Sequence, residues 1–109
     1  MIKKFFETAN LFHKYHKTNQ ITKANACAKK MNKIINEVIL QKDYKSFFDN
    51  VLASNNSIAM IWICDSCIEL GYRKQEAINL LYELEKSKDE IISRDAHMLL
   101  YVKTAMCAI

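Results

Sequence analysis

Apolar residues recur three and four positions apart along most of the chain, the pattern of amphipathic α-helices. The first such segment predicts a helix from Ile2 to about Lys17. A polar stretch at residues 18–20 then separates it from a second helical pattern. The apolar stripe of the first helix consists of Ile2, Phe5, Phe6, Ala9 and Phe12.

Two further helices follow, each with a candidate N-terminal cap. Thr22 is predicted to cap the second helix and Asp43 the third, because their side chains can accept hydrogen bonds from backbone amides of the first turn. The core positions predicted for the second helix are Ala24, Ala28, Met31, Ile34 or Ile35, and Val38. Those predicted for the third are Tyr44, Phe47, Phe48, Val51 and Leu52.

The fourth helix is predicted over residues 58–70 and is apolar on almost every side, which is typical of a helix buried between neighbours. Ser57 is its predicted cap, and Gly71 supplies the left-handed residue that commonly ends a helix. A fifth helix is predicted from about 74 to 86. A sixth is predicted to start at Asp89 and end near 106.

The composition supports an all-helical chain. Among 109 residues there is no proline and only one glycine, Gly71, whereas sheets and tight turns usually need both. A glycine-rich phosphate-binding loop is excluded for the same reason. The prediction is an all-α protein of about six helices, with residues 1–109 forming a single helical domain. Charges interrupt the apolar run at the N-terminus, so we expect neither a signal peptide nor a membrane span, and we expect a cytoplasmic protein that does not bind a membrane.

An internal repeat links the last four helices. When the chain is compared with itself at an offset of 33 residues, apolar positions coincide. A helical pair that stacks on a copy of itself to bury its apolar face would give such a period, which points to a short α-solenoid. The coinciding positions are Phe47 with Leu80, Phe48 with Leu81, Val51 with Leu84, Ile58 with Ile91, Ile63 with Ala96, and Cys67 with Leu100.

Several short strings resemble a family of small bacterial HEAT-like proteins, long catalogued as a domain of unknown function, whose members occur among toxin-immunity proteins of the contact-dependent growth inhibition type. The similarity covers roughly residues 20–100. It rests on Lys23-Ala24-Asn25-Ala26 to Ile34-Ile35, Asn55-Asn56-Ser57-Ile58, Trp62, Leu70-Gly71-Tyr72, Gln75-Glu76-Ala77-Ile78, Leu81, Glu83-Leu84, Ile92-Ser93, Ala96 and Met98.

The resemblance implies a basic N-terminal helical pair over about 1–41 and two stacked HEAT-like pairs over about 43–106. It also implies an immunity protein that binds and neutralises a cognate toxin domain, which we expect to be a nuclease. From the residues themselves we expect no enzyme active site, no cofactor and no metal. The chain departs from the family pattern at Ala59 or Met60, at Arg94 and at His97, and it lacks a tryptophan near its end. No functional residue is therefore transferred from the family.

Charge is divided unevenly along the chain. Residues 1–50 contain ten lysines and four acids, a net charge of +6, whereas residues 51–109 contain six basic and eight acidic residues, a net charge of −2. The lysines of the second helix could contact nucleic-acid phosphates. Against this interpretation, the chain has only two arginines, Arg73 and Arg94, and arginine is the preferred residue for such contacts. Solvated helix surfaces explain the same charges.

Three groups of residues could carry chemistry. Cys64 and Cys67 form a CxxC pair, but they fall inside a helix, so core packing is favoured over a zinc or redox site. Cys27 and Cys107 are interpreted in the same way, as reduced and buried. His13 and His16 share one helix face and could hold a metal only weakly. His97 has no partner identifiable from the sequence, so a nucleophilic triad is unsupported.

An acidic and aromatic stripe is the candidate partner-binding surface. Side chains three and four apart on the fourth helix combine the only tryptophan with two acids, and the sixth helix carries an equivalent stripe. The alternative is that the tryptophan packs inside while the acids stay hydrated. The predicted partner-binding residues are Trp62, Asp65, Glu69, Tyr72, Asp95 and Met98.

Binding of a toxin is the leading functional hypothesis because the resemblance implies it. The acidic stripe is compatible with this hypothesis, since acids opposite a basic nuclease would give a specific inhibitor that needs no chemistry. A HEAT-like adaptor for another protein, or a nucleic-acid-binding module that uses the lysine-rich N-terminal helices, are the alternatives. The sequence leaves the oligomeric state open.

Overall fold

The computed structural model describes the backbone of residues 1–107 and the side chains of residues 1–104. Within this part of the chain there are six helices and no strand, which confirms the predicted all-α class. The helices are α1 (Ile2–Lys17), α2 (Ile21–Ile39), α3 (Tyr44–Leu52), α4 (Ser57–Leu70), α5 (Lys74–Glu85) and α6 (Glu90–Cys107).

The turn between α1 and α2 shows that one predicted cap is in the wrong place. Asn19 takes the left-handed conformation (φ 56°), and the Gln20 amide donates a hydrogen bond of 2.8 Å to the Tyr15 carbonyl, which closes the last turn of α1. The chain re-enters a helix at once, at Ile21. Thr22 therefore lies inside α2, and its prediction as the cap was wrong.

The cap of α4 is one residue earlier than predicted. Asn56 Oδ1 accepts a hydrogen bond of 3.1 Å from the Ala59 amide, so Asn56 is the cap and Ser57 is the first helical residue. Asp43 occupies the predicted position before α3 but makes no capping bond through its side chain. Asp89 does cap α6, because its Oδ1 accepts a hydrogen bond of 3.0 Å from the Ile91 amide.

Gly71 ends α4 as predicted. Its φ is +69°, a left-handed conformation that side chains other than glycine rarely adopt without strain. The Tyr72 amide donates to the Cys67 carbonyl at 3.0 Å and the Gly71 amide to the Ile68 carbonyl at 3.3 Å. These two bonds satisfy carbonyls that the end of a helix would otherwise leave unpaired.

The chain forms two compact units. The first, Met1–Ile63, has α1 packed along α2, and α2 in contact with α3. Phe5 and Phe47 meet edge to face with their ring centroids 5.6 Å apart. The largest fully buried side chains of this unit are Phe5, Met31, Val38, Phe48, Val51 and Ile63. Its net charge is the +6 of the N-terminal half.

The second unit begins at Cys64. Here α5 packs along α6, a helical pair of the kind predicted from the repeat. The sequence from Cys64 onward has a net charge of −2. Its fully buried residues are Cys64, Cys67, Ala77, Leu81 and Ala96. The single-domain assignment and the HEAT-like stacking remain predictions.

Candidate partner-binding surface

Trp62 is half-buried and belongs to an aromatic cluster of the first unit. Its ring meets Phe12 edge to face, with centroids 5.8 Å apart. Phe12 in turn packs against His16 at 4.5 Å. One side of the indole is thus used in packing, and the side chain as a whole keeps part of its surface exposed to solvent.

Asp65 and Glu69 are held by a lysine that sequence reasoning missed. Lys103 extends from α6, and its Nζ donates a hydrogen bond of 2.6 Å to Glu69 Oε1 and lies 2.7 Å from Asp65 Oδ1. The lysine side chain is only 11% exposed, whereas those of Asp65 and Glu69 are 46% and 66% exposed. The acids are therefore neither simply hydrated nor buried. They cover one ammonium group and present their remaining oxygens to solvent.

We define this cluster as Asp65, Glu69 and Lys103. Its electrostatics favour the charged form of the lysine. Burial alone would lower the pKa of Lys103, but hydrogen bonding and charge attraction from Asp65 and Glu69 outweigh it, so the pKa is raised above its ordinary value of 10.5. Two carboxylates share a single ammonium, which leaves an excess negative charge. Because Lys103 is fixed by packing, that charge is held in a defined place.

The remaining predicted partner-binding residues are Tyr72, Asp95 and Met98. Tyr72 is half-buried just after α4. Asp95 pairs with Arg94 of the same helix at 3.2 Å. Met98 is 59% exposed and lies on the outer side of α6. The proposed role of all these residues in partner binding remains a prediction.

The CxxC cysteines are core residues of α4, as predicted. Cys64 and Cys67 are fully buried, and both are free thiols, as is the buried Cys27. Burial, followed by the nearby Cys67 and Asp65, raises the pKa of Cys64 to about 12. A redox cysteine needs the opposite shift, since the thiolate is the reactive form. Cys107 lies outside the residues whose side chains are described.

We expect Cys64 to resist alkylation in the folded protein. Against the ordinary value of 9.0, a pKa near 12 leaves roughly a thousandfold less thiolate at mildly alkaline pH. The neutral thiol is favoured on folding, so its contribution to stability is present below pH 9 and is lost as pH rises from 9 towards 12. Peptide mapping after iodoacetamide treatment, with and without denaturant, measures this reactivity.

The matched control for this prediction is Ser46→Cys, which places a thiol at an exposed position of α3. Its cysteine should react at once under native conditions. Labelling of Cys64 at a rate similar to that of the control would contradict the burial that the structure shows.

His97 has a carboxylate partner that could not be identified from the sequence. His97 Nδ1 lies 2.6 Å from Glu85 Oε2 across the turn between α5 and α6. Ser93 lies one turn before His97, but its hydroxyl donates to the Glu85 carbonyl at 2.6 Å. The hydroxyl is therefore directed at the backbone, and the imidazole is largely exposed. This geometry stabilises the turn and lacks the serine–histidine bond that a nucleophilic triad requires.

The described side chains offer no group of three His, Cys, Asp or Glu residues that could hold a metal ion. His16 of the predicted histidine pair packs its ring on Phe12. In the part of the chain that the structure describes, no helix combines the length and apolar character needed to cross a membrane.

Sequence reasoning missed Lys103 because its partners lie 34 and 38 residues earlier in the chain. Helical periodicity shows which face of each helix is apolar, but it does not give the axial register between two helices. A lysine on the buried side of the predicted sixth helix was the one signal available, since a buried cation needs a partner.

Searches against protein-family models, curated proteins and solved structures found no match to this chain.

Proposed function

We propose that this chain is a bacterial immunity protein that binds a cognate toxin domain in the cytoplasm and neutralises it without catalysis of its own. The resemblance over residues 20–100 supplies the functional class, and the HEAT-like pairing of residues 43–106 is part of the same proposal. The structural observation that supports it best is the acidic pair Asp65 and Glu69, which Lys103 fixes in place.

Electrostatic attraction is what this cluster would contribute to toxin binding. Its excess negative charge lies in a unit that is itself net negative. A nuclease needs a basic surface to hold the phosphates of its substrate. Opposite charges on two such surfaces speed association and disfavour partners of the wrong sign. Covering the substrate surface of the toxin is sufficient for inhibition, so the inhibitor itself needs no reactive group.

The test uses the toxin domain encoded beside the gene for this chain. Cells that express the toxin with this chain should survive, and the two purified proteins should form a stable complex. Glu69→Gln should slow association several-fold, with the largest difference at low salt, because it removes charge without changing shape. If no complex forms and coexpression gives no protection, the proposal is wrong.

The matched control is Glu83→Gln on α5. Glu83 is about as exposed as Glu69, and among the described residues it forms a surface ion pair with Lys86 at 3.5 Å. The Glu83→Gln variant should associate with the toxin at the wild-type rate. An equal loss in both variants would mean that net charge, and not the acidic pair, controls association.

A second candidate function, nucleic-acid binding, is favoured by the outer face of α2. Lys29, Lys30 and Lys33 are all exposed there. Mobility shift of a DNA or RNA duplex that weakens steeply with salt, and is lost in Lys29→Glu/Lys33→Glu, would support this alternative. A stable complex with a protein that is not a toxin would instead indicate an adaptor.

A further inference from the structure

The second unit contains a cavity of about 390 Å³ that residues of α4, α5 and α6 line together. Cavities of roughly 300–1,000 Å³ with a mainly apolar lining are typical of sites that bind small molecules. The apolar lining here consists of Ile68 and Leu100, which are buried, and Ile78, which is half-buried. Every lining residue follows Cys64 in the chain, so the cavity belongs to the second unit alone.

The polar side chains of this cavity are either positively charged or neutral. Lys74, the first residue of α5, and Thr104 of α6 both line the cavity and are exposed to solvent. Lys103 lines it as well, and the long stem of a lysine adds apolar surface. Among the described side chains, no acid lines this cavity. The lining therefore favours a ligand with a negative group over one with a positive group.

Lys74 is the lysine that can attract such a group. The charge of Lys103 is already matched, because its Nζ lies 2.7 Å from Asp65 Oδ1 and 2.6 Å from Glu69 Oε1. An ammonium group has three N–H donors, so Lys74 can bind a ligand in addition to neighbours in its own chain.

The charges around the cavity suit one negative charge on the ligand better than two. A carboxylate can pair with the single ammonium of Lys74. A dianion such as a phosphate monoester would meet stronger repulsion from the two carboxylates that hold Lys103. The apolar lining in turn requires an apolar body attached to the carboxylate.

We propose that this cavity binds a small amphiphilic carboxylate, with its apolar body against Ile68, Ile78 and Leu100 and its carboxylate beside Lys74. Burial of the apolar body provides most of the binding free energy, and the ion pair at the exposed lysine adds a smaller part and fixes the orientation. For a ligand of about ten non-hydrogen atoms, the dissociation constant should be on the order of 0.1–1 mM. Such binding goes beyond the proposed function and does not depend on any toxin.

Titration of the full chain with octanoate, followed by two-dimensional amide NMR, tests the proposal. The chemical shifts should saturate, and the largest changes should lie at the amides of Ile68, Ile78, Leu100 and Thr104. The neutral alcohol 1-octanol should bind as well, because it has the same apolar body. Acetate has the charge without the body, so it should cause no saturable shift over the same concentrations.

Two lysine variants test the position of the carboxylate. Lys74→Gln should weaken octanoate binding about two- to fivefold, the range for an exposed ion pair, and should leave 1-octanol binding unchanged. The matched control is Lys88→Gln, which removes the same charge from an exposed position that does not line this cavity. The Lys88→Gln variant should bind both compounds as the wild type does.

Ile78→Trp tests the cavity itself, because the larger ring at this half-buried position should occupy the space that the apolar body needs. This variant should lose saturable binding of both compounds, while circular dichroism shows the helix content of the wild type. Four results overturn the proposal: no saturable octanoate binding to the wild type, shifts centred away from the lining residues, equal weakening by Lys74→Gln and Lys88→Gln, or undiminished octanoate binding to a folded Ile78→Trp variant.

Discussion

Replacing Phe48 with alanine is expected to lower the free energy of unfolding by roughly 3–5 kcal/mol, the range for removing a buried aromatic ring. Phe48 has no exposed surface, and its ring meets Tyr44 edge to face with centroids 5.4 Å apart. The helix that carries it, α3, has only nine residues. A helix this short is not stable by itself in water, so α3 depends on the packing of its apolar face.

The measurement is urea unfolding followed by circular dichroism at equal protein concentration for every variant. Phe47→Ala is the matched control, because Phe47 is the same residue type on the same helix but is only half-buried. Phe47→Ala should lower the free energy of unfolding by clearly less than Phe48→Ala does. Phe48→Leu should also cost less, since it retains much of the apolar volume. A loss below about 1 kcal/mol for Phe48→Ala would mean that the core of the first unit is not packed as the structure shows.

The same dependence on packing explains how much of the fold could be predicted. Helical periodicity predicted each of the six helices in the described part of the chain, and their predicted starts lie within one or two residues of the observed ones. Burial of one face is the strongest signal that an amphipathic sequence carries. Gly71 was predictable because few other residues accept its φ of +69°. The cap of α4 could not be predicted, because residues 55–57 are all cap formers and backbone geometry alone decides among them.

The candidate site was harder to predict than the fold. The stripe on α4 could be identified from the sequence, but the side of Trp62 that packs on Phe12 could not, because it depends on how α4 meets α1 within the first unit. The bond between His97 and Glu85 was missed for a related reason: it depends on the angle of the turn between α5 and α6. Both contacts are set by tertiary geometry, which helical periodicity does not contain.

The second large loss of stability is expected when Lys103 loses its two carboxylate partners. The Lys103 side chain is 11% exposed in the structure. In the double variant Asp65→Asn/Glu69→Gln, its ammonium keeps polar neighbours but loses both opposite charges. Breaking a fully buried ion pair costs several kcal/mol. Here the carboxylates are about half exposed or more, so screening by water reduces the expected loss to about 1–2 kcal/mol.

A rescue variant separates loss of charge pairing from general damage. Adding Lys103→Met to the double variant removes the uncompensated charge and retains most of the apolar stem, so it should restore most of the lost stability. Lys103→Met alone should cost less than the double variant, because the two exposed carboxylates can be hydrated. If the three variants show additive losses, the three side chains do not act as one cluster.

The pH dependence gives an independent check on the same cluster. Burial lowers the pKa of Lys103, but Asp65 and Glu69 raise it above 10.5 overall, so the folded state holds this proton more tightly than the unfolded chain does. The resulting stabilisation is complete below pH 10.5 and is lost as pH rises through the folded-state pKa. The difference in unfolding free energy between the wild type and Lys103→Met should therefore stay constant at neutral pH and change in favour of Lys103→Met in strong alkali. Because Cys64 is present in both proteins, its own titration cancels to first order in that difference. A difference that already changes near neutral pH would show that Lys103 is not held by the two carboxylates.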